Sequence, residues 1–336
     1  SLEPDAAGDL TARLALFRYS TEEIDEVLVP MIQTGKEPIG SMGDTARPAL
    51  LSDEPRSFFD FFYQGFAQVT NPPLDHLRER FVTDLGTVLG RRPNVFAPKT
   101  LIPLPPGRAL PSPVLEPEDL AAIEQAGAHS TNRGAFESVT VACTFPRARG
   151  PEGLAEALEA LEQRVLAAIR GGCSVVILSD RSAKIERPPI PSLLALSTAV
   201  RGVTEAGHRL DASLVVDAGD VKSTHDLAAL AAFGASAVCP RLAFRLADES
   251  TDAVLRELPP SARRASLRQA FEEGLLKVMS KMGISTFQGY QGSRLFTPLG
   301  LGPQLLARYF GGLDSPVGGY ELEDLAAAIL KETARP

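Results

Sequence analysis

The 336-residue sequence has no tryptophan and only three cysteines, four methionines and four histidines. Cys143, Cys173 and Cys239 lie far apart with no CxxC pair, so the spacing of a structural zinc or iron-sulfur site is missing. No apolar run approaches the roughly 20 residues that span a bilayer, and no signal peptide is visible. We therefore predict a cytoplasmic protein with no membrane partner, no metal and three buried, reduced thiols.

Basic charge is also scarce, because the net charge is -8 and the pI is about 5.2. No basic stripe with interleaved aromatic residues is present, so nucleic acid is not an expected partner. The HExxH, GxxxxGK[ST] and Ser-His-Asp patterns are missing from the sequence as well. With 44% hydrophobic and 23% charged residues, the composition is that of a globular protein with a well-buried core.

The first third of the sequence predicts helices joined by irregular segments. Helices are expected over Leu10–Arg18 and Ser20–Val29, and the second opens with a capping-box pattern. A loop follows over Gly35–Asp53, rich in glycine, proline and serine. The aromatic stretch Pro55–Gln68 predicts a helix packed against a larger body, and Asn94–Leu115 predicts an extended crossover segment.

Beyond this region, nearly continuous apolar runs alternate with helical patterns. The predicted strands are Ser138–Phe145, Ser174–Leu178, Ser213–Val216, Ser236–Cys239 and Ile284–Gln288. The predicted helices are Glu118–Gly127, Gly153–Ile169, Pro191–Ala206, His225–Phe233 and Ser266–Met282. Such alternation predicts a parallel sheet covered on both faces. Five strands are fewer than the eight of a complete barrel, so we expect an α/β fold with an incomplete (βα) TIM-barrel-like core, and a doubly wound sheet is the second choice.

The same patterns divide the chain into three predicted parts. A helical and loop-rich N-terminal part covers residues 1–130, the barrel-like core covers 131–300, and a C-terminal helical extension covers 301–336. In parallel α/β folds, functional groups gather at the carboxyl ends of the strands. The candidate residues for such a barrel mouth are Asp180, Arg181, Lys184, Asp217, Lys222, His225, Arg241 and Lys281.

Several of these candidates have two interpretations. His225 suits a general base because an imidazole titrates near neutrality, but it equally suits a capping or surface role. Asp180 and Arg181 either bind a carboxylate substrate through the arginine fork or close a strand-end loop on themselves. No residue is thereby assigned a catalytic role.

The segment from Val215 to Pro240 has the outline of a flavin-barrel phosphate site, in which a strand, a small-residue loop and a helix follow one another. A working site needs adjacent glycines, so that backbone amides approach the phosphate oxygens. This loop has one glycine, Gly219, between Asp217 and Asp220, and two carboxylates repel a phosphate. We therefore expect a degenerate site without FMN.

Six segments in order closely resemble the central domain of the glutamate synthase large subunit. They are Thr34–Asp44 (TGKEPIGSMGD), Ala49–Glu79, Val175–Arg181 (VVILSDR), Pro188–Ala195 (PPIPSLLA), Phe233–Pro240 (FGASAVCP) and Gly274–Leu301, which contains SKMGIST. The resemblance implies a rudimentary flavin-type barrel that binds no FMN. It also implies partners, namely a glutamine amidotransferase domain and a synthase domain that carries FMN and an iron-sulfur cluster, with this domain helping to wall the ammonia channel between them.

The sequence departs from the family pattern in several loops. Ser197–Arg201 replaces a histidine-rich stretch, Thr224-His225-Asp226 replaces a His-His pair, and Thr297 replaces a glutamate. The sequence also contains neither an amino-terminal cysteine nucleophile nor the FMN region, so we expect an excised domain or a free-standing relative without glutamate synthase activity of its own.

Three functions fit these features. The favoured one is a non-catalytic scaffold and ammonia-channel wall in glutamate biosynthesis. The second is a diverged paralogue that binds or transforms a small anionic or amino-acid-like molecule in a positive field. The residues of that field would be Arg181, Lys184, Lys222, Arg241 and Lys281. The third is an interaction module for separate amidotransferase or synthase chains, which would dock on an exposed face of the aromatic segment Phe58–Phe66.

Overall fold

The computed structural model describes residues 9–38, 57–65, 79–93, 107–128 and 136–333. Their strands are β1 (Phe62–Gln64), β2 (Thr87–Leu89), β3 (Arg108–Leu110), β4 (Ser138–Ala142), β5 (Val175–Ser179), β6 (Ser213–Ala218), β7 (Ala237–Pro240) and β8 (Phe296–Pro298). Their α-helices are α1 (Leu10–Leu16), α2 (Val29–Thr34), α3 (Glu79–Val82), α4 (Pro117–Ala128), α5 (Glu152–Arg170), α6 (Ser192–Glu205), α7 (Thr224–Ala232), α8 (Arg241–Glu249), α9 (Pro260–Lys281), α10 (Phe287–Tyr290), α11 (Pro303–Tyr309) and α12 (Leu322–Glu332).

The core is a four-stranded parallel sheet in the order β4-β5-β6-β7. Every residue of β5, β6 and β7 is buried, which is why the interiors of these strands are apolar runs rather than alternating patterns. The strands follow their order along the chain without the reversal that marks a doubly wound sheet. The predicted α/β class and incomplete barrel-like core are therefore confirmed, and the described residues contain no strand pairing that closes this sheet.

The predicted fifth strand, Ile284–Gln288, is wrong. Thr286 makes only an isolated bridge to Asp84, and it caps α10 by accepting a hydrogen bond from the backbone N–H of Gly289. This segment therefore begins a helix instead of forming a strand. The Thr286 side chain accepts the hydrogen bond of the Gly289 amide, which in a strand would bond to a neighbouring strand.

The aromatic stretch is not a helix either, within the part that the structure describes. Phe58–Phe61 is a short 3₁₀ helix, and β1 then pairs antiparallel with β8. The Phe62 ring lies 5.3 Å from that of Phe233 and 5.1 Å from that of Phe310, so the segment is part of the core, as expected of its rings. The 3₁₀ helix buries Phe58, Phe59 and Phe61, and the strand then buries Phe62 and exposes Tyr63 by simple alternation. Residues 66–68 lie outside the described residues.

The other predicted elements agree with the structure in part. Ser20 and Glu23 form the expected capping box, with backbone-to-side-chain bonds of 2.8 and 3.1 Å, although the helix there is a π-helix over Glu23–Leu28 that continues into α2. The predicted core helices correspond to α4, α5, α6, α7 and α9. The predicted loop Gly35–Asp53 is described only over residues 35–38. The predicted crossover Asn94–Leu115 is described from residue 107 onward, where it contains β3. The boundaries at 130 and 300 stay predictions.

Gly274 of α9 lies where this helix crosses α7. A Cβ atom at this position would stand 2.7 Å from Cγ2 of Thr224 and closer still to its Oγ1. We expect Gly274→Ala to lower the free energy of unfolding by about 1 kcal/mol, because overpacking outweighs the roughly 1 kcal/mol of helix propensity that alanine adds. Urea denaturation measures the change.

Gly318→Ala is the control, because no atom lies within 4 Å of a Cβ built there. Adding Thr224→Ala to Gly274→Ala should recover part of the loss, since it removes two of the three clashing atoms. A Gly274→Ala protein more stable than the parent would contradict this packing.

Candidate functional site

The carboxyl ends of β5, β6 and β7 meet at one edge of the sheet, which we call the mouth. The parallel register sets Ser179 of β5 beside Asp217 of β6. Asp180 and Arg181 follow β5 directly, and Arg241 begins α8 immediately after β7. Four of the predicted site residues are thus brought to one place by strand register alone, as the strand-end rule expects.

These four residues pair with one another. Arg241 donates from Nε to Oδ1 of Asp217 at 3.0 Å and from one Nη to Oδ1 of Asp180 at 2.5 Å. Arg181 donates from Nε to the other oxygen of Asp217 at 2.9 Å, and the Ser179 hydroxyl donates to the same oxygen at 2.6 Å. Asp180, Asp217 and Arg241 are buried. The result is a buried ion network, in which Arg241 joins the ends of β5 and β6.

Glu124 of α4 extends the network outward. Both of its oxygens accept from Arg181, at 2.9 and 3.3 Å, in the bidentate geometry that suits a guanidinium. Three carboxylates, Asp180, Asp217 and Glu124, therefore face two guanidinium groups. The two arginines are neutralised by the protein's own acids rather than held open for a substrate carboxylate.

The Gly219 loop, which resembles a phosphate site, is occupied in the same manner. Its backbone N–H donates to both oxygens of Asp180, at 2.9 and 3.1 Å. The ring of Phe17 covers the loop so closely that a Cβ on Gly219 would stand 2.6 Å from it. The Tyr19 hydroxyl donates to the Gly219 carbonyl at 2.9 Å. This loop does not fit an FMN phosphate, because a carboxylate holds the amide that would bind it and an aromatic ring fills the approach.

Lys222 turns away from the network toward the N-terminal segment. Its Nζ donates to Oε2 of Glu23 at 2.8 Å and to the carbonyl of Arg18 at 2.6 Å, and it lies 4.9 Å from the ring centre of Tyr19. The lysine thus fixes the segment after α1 across the mouth. Its positive charge is paired with the carboxylate of Glu23 inside the protein.

His225 holds a structural position at the start of α7. Its Nε2 lies 3.2 Å from the carbonyl oxygen of Phe59, and its ring packs edge-on against Phe296 at 5.6 Å. The neighbouring Asp226 forms a reciprocal capping box with Ser223. The geometry fits the capping interpretation of this region, because the neighbouring carboxylate of Asp226 accepts from the backbone N–H groups of Lys222 and Ser223.

Lys184 and Lys281 do not join the other candidates. Both side chains are exposed, Lys184 in a turn closed by backbone bonds with Arg187 and Lys281 in the last turn of α9. The expected single positive field at the mouth is therefore not formed, because the other three cations, Arg181, Lys222 and Arg241, are paired with carboxylates.

Burial shifts the pKa values of the acids in and around the network. It raises the pKa of Asp180 to about 7, with Arg241 opposing the shift and Asp220 and Asp217 adding to it. Burial also raises the pKa of Asp220, whose Oδ2 accepts from the backbone N–H of Ser192 at 2.9 Å. Crowding of carboxylates in a dry site thus makes a proton on Asp180 favourable near neutral pH.

The three cysteines are buried, as predicted. Burial raises the pKa of the Cys143 and Cys239 thiols and brings that of Cys173 to about 11. Thiols with raised pKa values are poor nucleophiles at neutral pH, because the thiolate is the reactive form. Cys239 lies in β7 beside Asp217 of β6, whose charge raises the pKa of this thiol further.

A cavity of about 990 Å³ opens outside the mouth, between the N-terminal segment and α12. Its wall includes Phe17, Lys222 and Leu325. Its acidic side chains outnumber its basic ones, which are Arg18 and Lys222. The acidic residues are Glu22, Glu23, Glu26, Asp60, Asp220 and Glu332. The charge of this wall is the opposite of what an anionic ligand requires.

The sequence analysis missed Phe17, Tyr19, Glu23 and Glu124 as parts of the site. All four lie far from the strand ends in sequence, and their contacts with the mouth join residues up to 202 positions apart. The one available signal was the capping pattern of Ser20 and Glu23, which marked the start of the predicted helix Ser20–Val29 but did not identify Lys222 as a partner of Glu23. Local pattern cannot identify a contact of this range.

Within the described ranges, no group of three or more histidine, cysteine, aspartate or glutamate side chains is arranged to hold a metal ion. Nor does any helix in those ranges have the length and apolarity to cross a membrane.

The family model for the glutamate synthase central domain matches residues 12–302. The chain is 36% identical over 334 residues to ferredoxin-dependent glutamate synthase 2 of Synechocystis sp., covering 94% of the chain and 20% of that protein. It is 35% identical over 328 residues to the glutamate synthase [NADPH] large chain of Bacillus subtilis, covering 97% of the chain and 21% of that protein. The chain thus spans about a fifth of the length of these curated relatives.

Similarity to solved structures is weaker. A mandelate oxidase structure with 3,3-difluoro-2-hydroxy-3-phenylpropionic acid matches 85% of the chain and 97% of its own length at 13% identity, with a TM-score of 0.38. A flavocytochrome b2 variant with pyruvate bound matches 58% of the chain and 41% of its own length at 16% identity, with a TM-score of 0.37. Similarity at this level assigns neither a fold nor a function to the chain.

The ion network predicts a large effect of removing Arg241. We expect Arg241→Met to lower the free energy of unfolding by about 3–5 kcal/mol, because Asp180 and Asp217 would stay buried without their shared cation. Urea denaturation compares it with Arg245→Met on the same helix, where the arginine pairs with a half-exposed Glu249 and the loss should be about 0–1 kcal/mol. Equal losses for the two variants would refute a dominant role of the network.

The raised pKa of Asp180 predicts a pH dependence of stability. The carboxyl titrates near 7 when folded and near 4 when unfolded, so the folded chain binds an extra proton between these values. Its contribution to the free energy of unfolding therefore falls as pH rises from about 4 to 7, by at most about 1.4 kcal/mol per pH unit.

Asp180→Asn should remove this slope. We expect urea denaturation between pH 5 and pH 8 to show the wild type losing stability relative to Asp180→Asn as pH rises. Asp314→Asn, which removes an exposed carboxylate, should follow the wild type. Parallel profiles for the wild type and Asp180→Asn would show that this carboxyl is ionised throughout.

Proposed function

Because the chain belongs to the glutamate synthase central-domain family, whose model matches residues 12–302, we propose that it acts in glutamate biosynthesis as a non-catalytic scaffold. In this proposal it adjoins a glutamine amidotransferase domain and a synthase domain, and it contributes one wall of the ammonia channel between them. FMN and the iron-sulfur cluster belong to the synthase domain, and this chain holds no cofactor.

The observation that carries the scaffold role is the internal pairing at the mouth. A catalytic strand-end site keeps charged groups available to substrate, with water excluded only when the substrate is bound. Here Arg241 binds Asp180 and Asp217, and the Gly219 amide binds Asp180. Each of these groups is already satisfied, so their interactions serve to hold the strands rather than to bind a reacting molecule.

The cover over the mouth supports the same function. Phe17 lies on Gly219, the Tyr19 hydroxyl donates to the loop carbonyls, and Lys222 binds Glu23 and the Arg18 carbonyl. A substrate would have to displace this segment and its bonds before reaching the strand ends. A domain that closes its own mouth is suited to present its outer surface to neighbours.

The two other functions lack such support. An anionic ligand at the mouth would need free positive charge, and Arg181, Lys222 and Arg241 are paired with carboxylates. Docking through the aromatic segment would need exposed rings, and Phe58, Phe59, Phe61 and Phe62 are buried, which leaves Tyr63 as the exposed ring among those described.

Genetic complementation tests the scaffold role in the intact cell. Deleting the coding region should make growth on limiting ammonium depend on added glutamate, and the wild-type gene should restore growth. His225→Gln and Lys222→Gln should also restore it, because a scaffold needs no proton transfer at the mouth. Arg241→Met should fail in proportion to its loss of folded protein.

The growth result for each variant is compared with the amount of folded protein. An immunoblot measures the amount, and melting of the purified protein shows that it is folded. If His225→Gln or Lys222→Gln folds normally yet does not restore growth, the mouth takes part in chemistry and the scaffold proposal is wrong. If deletion leaves growth unchanged, the role in glutamate biosynthesis is wrong.

A further inference from the structure

Three arginines gather at the end of the sheet opposite the mouth. Arg209 precedes β6, and Arg91 and Arg92 follow β2. The backbone N–H of Arg92 donates to the carbonyl of Leu210 at 2.9 Å, so the two segments are joined. This arginine cluster lies in a chain whose net charge is -8, and no role in the mouth accounts for it.

Neutral groups hold two of these guanidiniums in place. Arg92 donates to Oε1 of Gln291 at 2.9 Å, and Arg209 donates to the carbonyl of Gly234 at 3.0 Å. Gln291 in turn donates to the same Gly234 carbonyl at 3.3 Å and to the Ser236 hydroxyl at 2.9 Å. A single relay of hydrogen bonds thus positions Arg92 and Arg209 without neutralising either charge.

No carboxylate pairs with Arg92 or Arg209 among the residues that the structure describes. The nearby Asp211 is shared by His208, at 2.8 Å, and Arg91, at 3.6 Å. Burial, together with the adjacent charge of Arg92, lowers the pKa of Arg209. A partly buried guanidinium beside a second cation is costly unless an anion compensates it.

We propose that Arg92 and Arg209, with Arg91 at the rim, form a binding site for a small oxyanion that carries a phosphate or carboxylate group. Guanidinium groups bind such oxygens through paired N–H donors, and each of these two arginines keeps donors that no group in the described part of the chain accepts. The neutral anchors explain the arrangement, because they fix the donors and leave the charge for the ligand. A bound anion would relieve the repulsion between the two cations.

Melting of the purified chain tests the site with two probes, inorganic phosphate and succinate, at ionic strength held constant with chloride. We expect a saturable rise of the midpoint for the wild type, by about 2 °C at a probe concentration about tenfold above its Kd. Arg209→Gln and Arg92→Gln should each weaken the affinity tenfold or more. Arg308→Gln, which removes an exposed arginine from α11, should keep the wild-type response.

The chloride-only condition provides a second measurement. There Arg209→Gln should melt at or above the wild-type temperature, because it removes a poorly compensated charge, and this also shows that the variant folds. Arg92, whose side chain is exposed, offers an independent variant that does not disturb the interior.

The proposal is overturned if neither probe gives a saturable shift with the wild type. It is also overturned if Arg209→Gln and Arg92→Gln respond as strongly as Arg308→Gln, since the effect would then be one of general ion binding. A response to one probe only, lost in both variants, supports the site and identifies the phosphate or carboxylate group as its ligand.

Discussion

The pairing of Arg241 with Asp180 and Asp217 is the interaction on which the rest of the structure depends. It joins the carboxyl ends of β5 and β6 to the start of α8, and among the described residues no further strand pairs with this sheet to complete a barrel. Burial and the nearby charge of Asp217 favour a proton on Asp180, and Arg241 opposes this by stabilising the buried carboxylate. The same carboxylate of Asp180 then binds the Gly219 amide, which shapes the loop after β6. The same ionic contacts thereby hold the strand ends and the loop after β6 in place without a bound ligand.

The N-terminal segment depends on that arrangement. Phe17 can lie on Gly219 only because this residue has no side chain, and the Tyr19 hydroxyl finds carbonyls of the loop that Asp180 has already positioned. Lys222 then anchors the segment through Glu23. The rings exclude water from the ion network, and the ion network fixes the surface on which the rings pack. Each therefore stabilises the other. The acidic cavity begins outside this cover, not at the strand ends.

The sequence was sufficient for the features that local chemistry determines. Nearly continuous apolar runs identified β5, β6 and β7, and apolar spacing identified α5, because burial on both faces or on one helical face leaves a direct pattern. The aromatic stretch was misjudged, since its rings favour burial without saying whether helix or strand provides it. Strand-end position correctly gathered Asp180, Arg181, Asp217 and Arg241. It could not say that they neutralise one another, because pairing depends on register between strands and on Glu124 from a helix earlier in the chain.

Charge compensation separates the two ends of the sheet more clearly than residue type does. Arginine occurs at both ends, and the strand-end rule directed the sequence analysis to Arg241 rather than to Arg209. At the mouth, however, Arg241 meets two carboxylates, whereas Arg209 meets a carbonyl and lies beside another cation. A guanidinium that is already paired with a carboxylate must give up that ion pair to bind an outside anion. A guanidinium held by neutral groups has no ion pair to give up. Anion binding is therefore expected where the strands begin, at the end remote from the conserved geometry of α/β active sites.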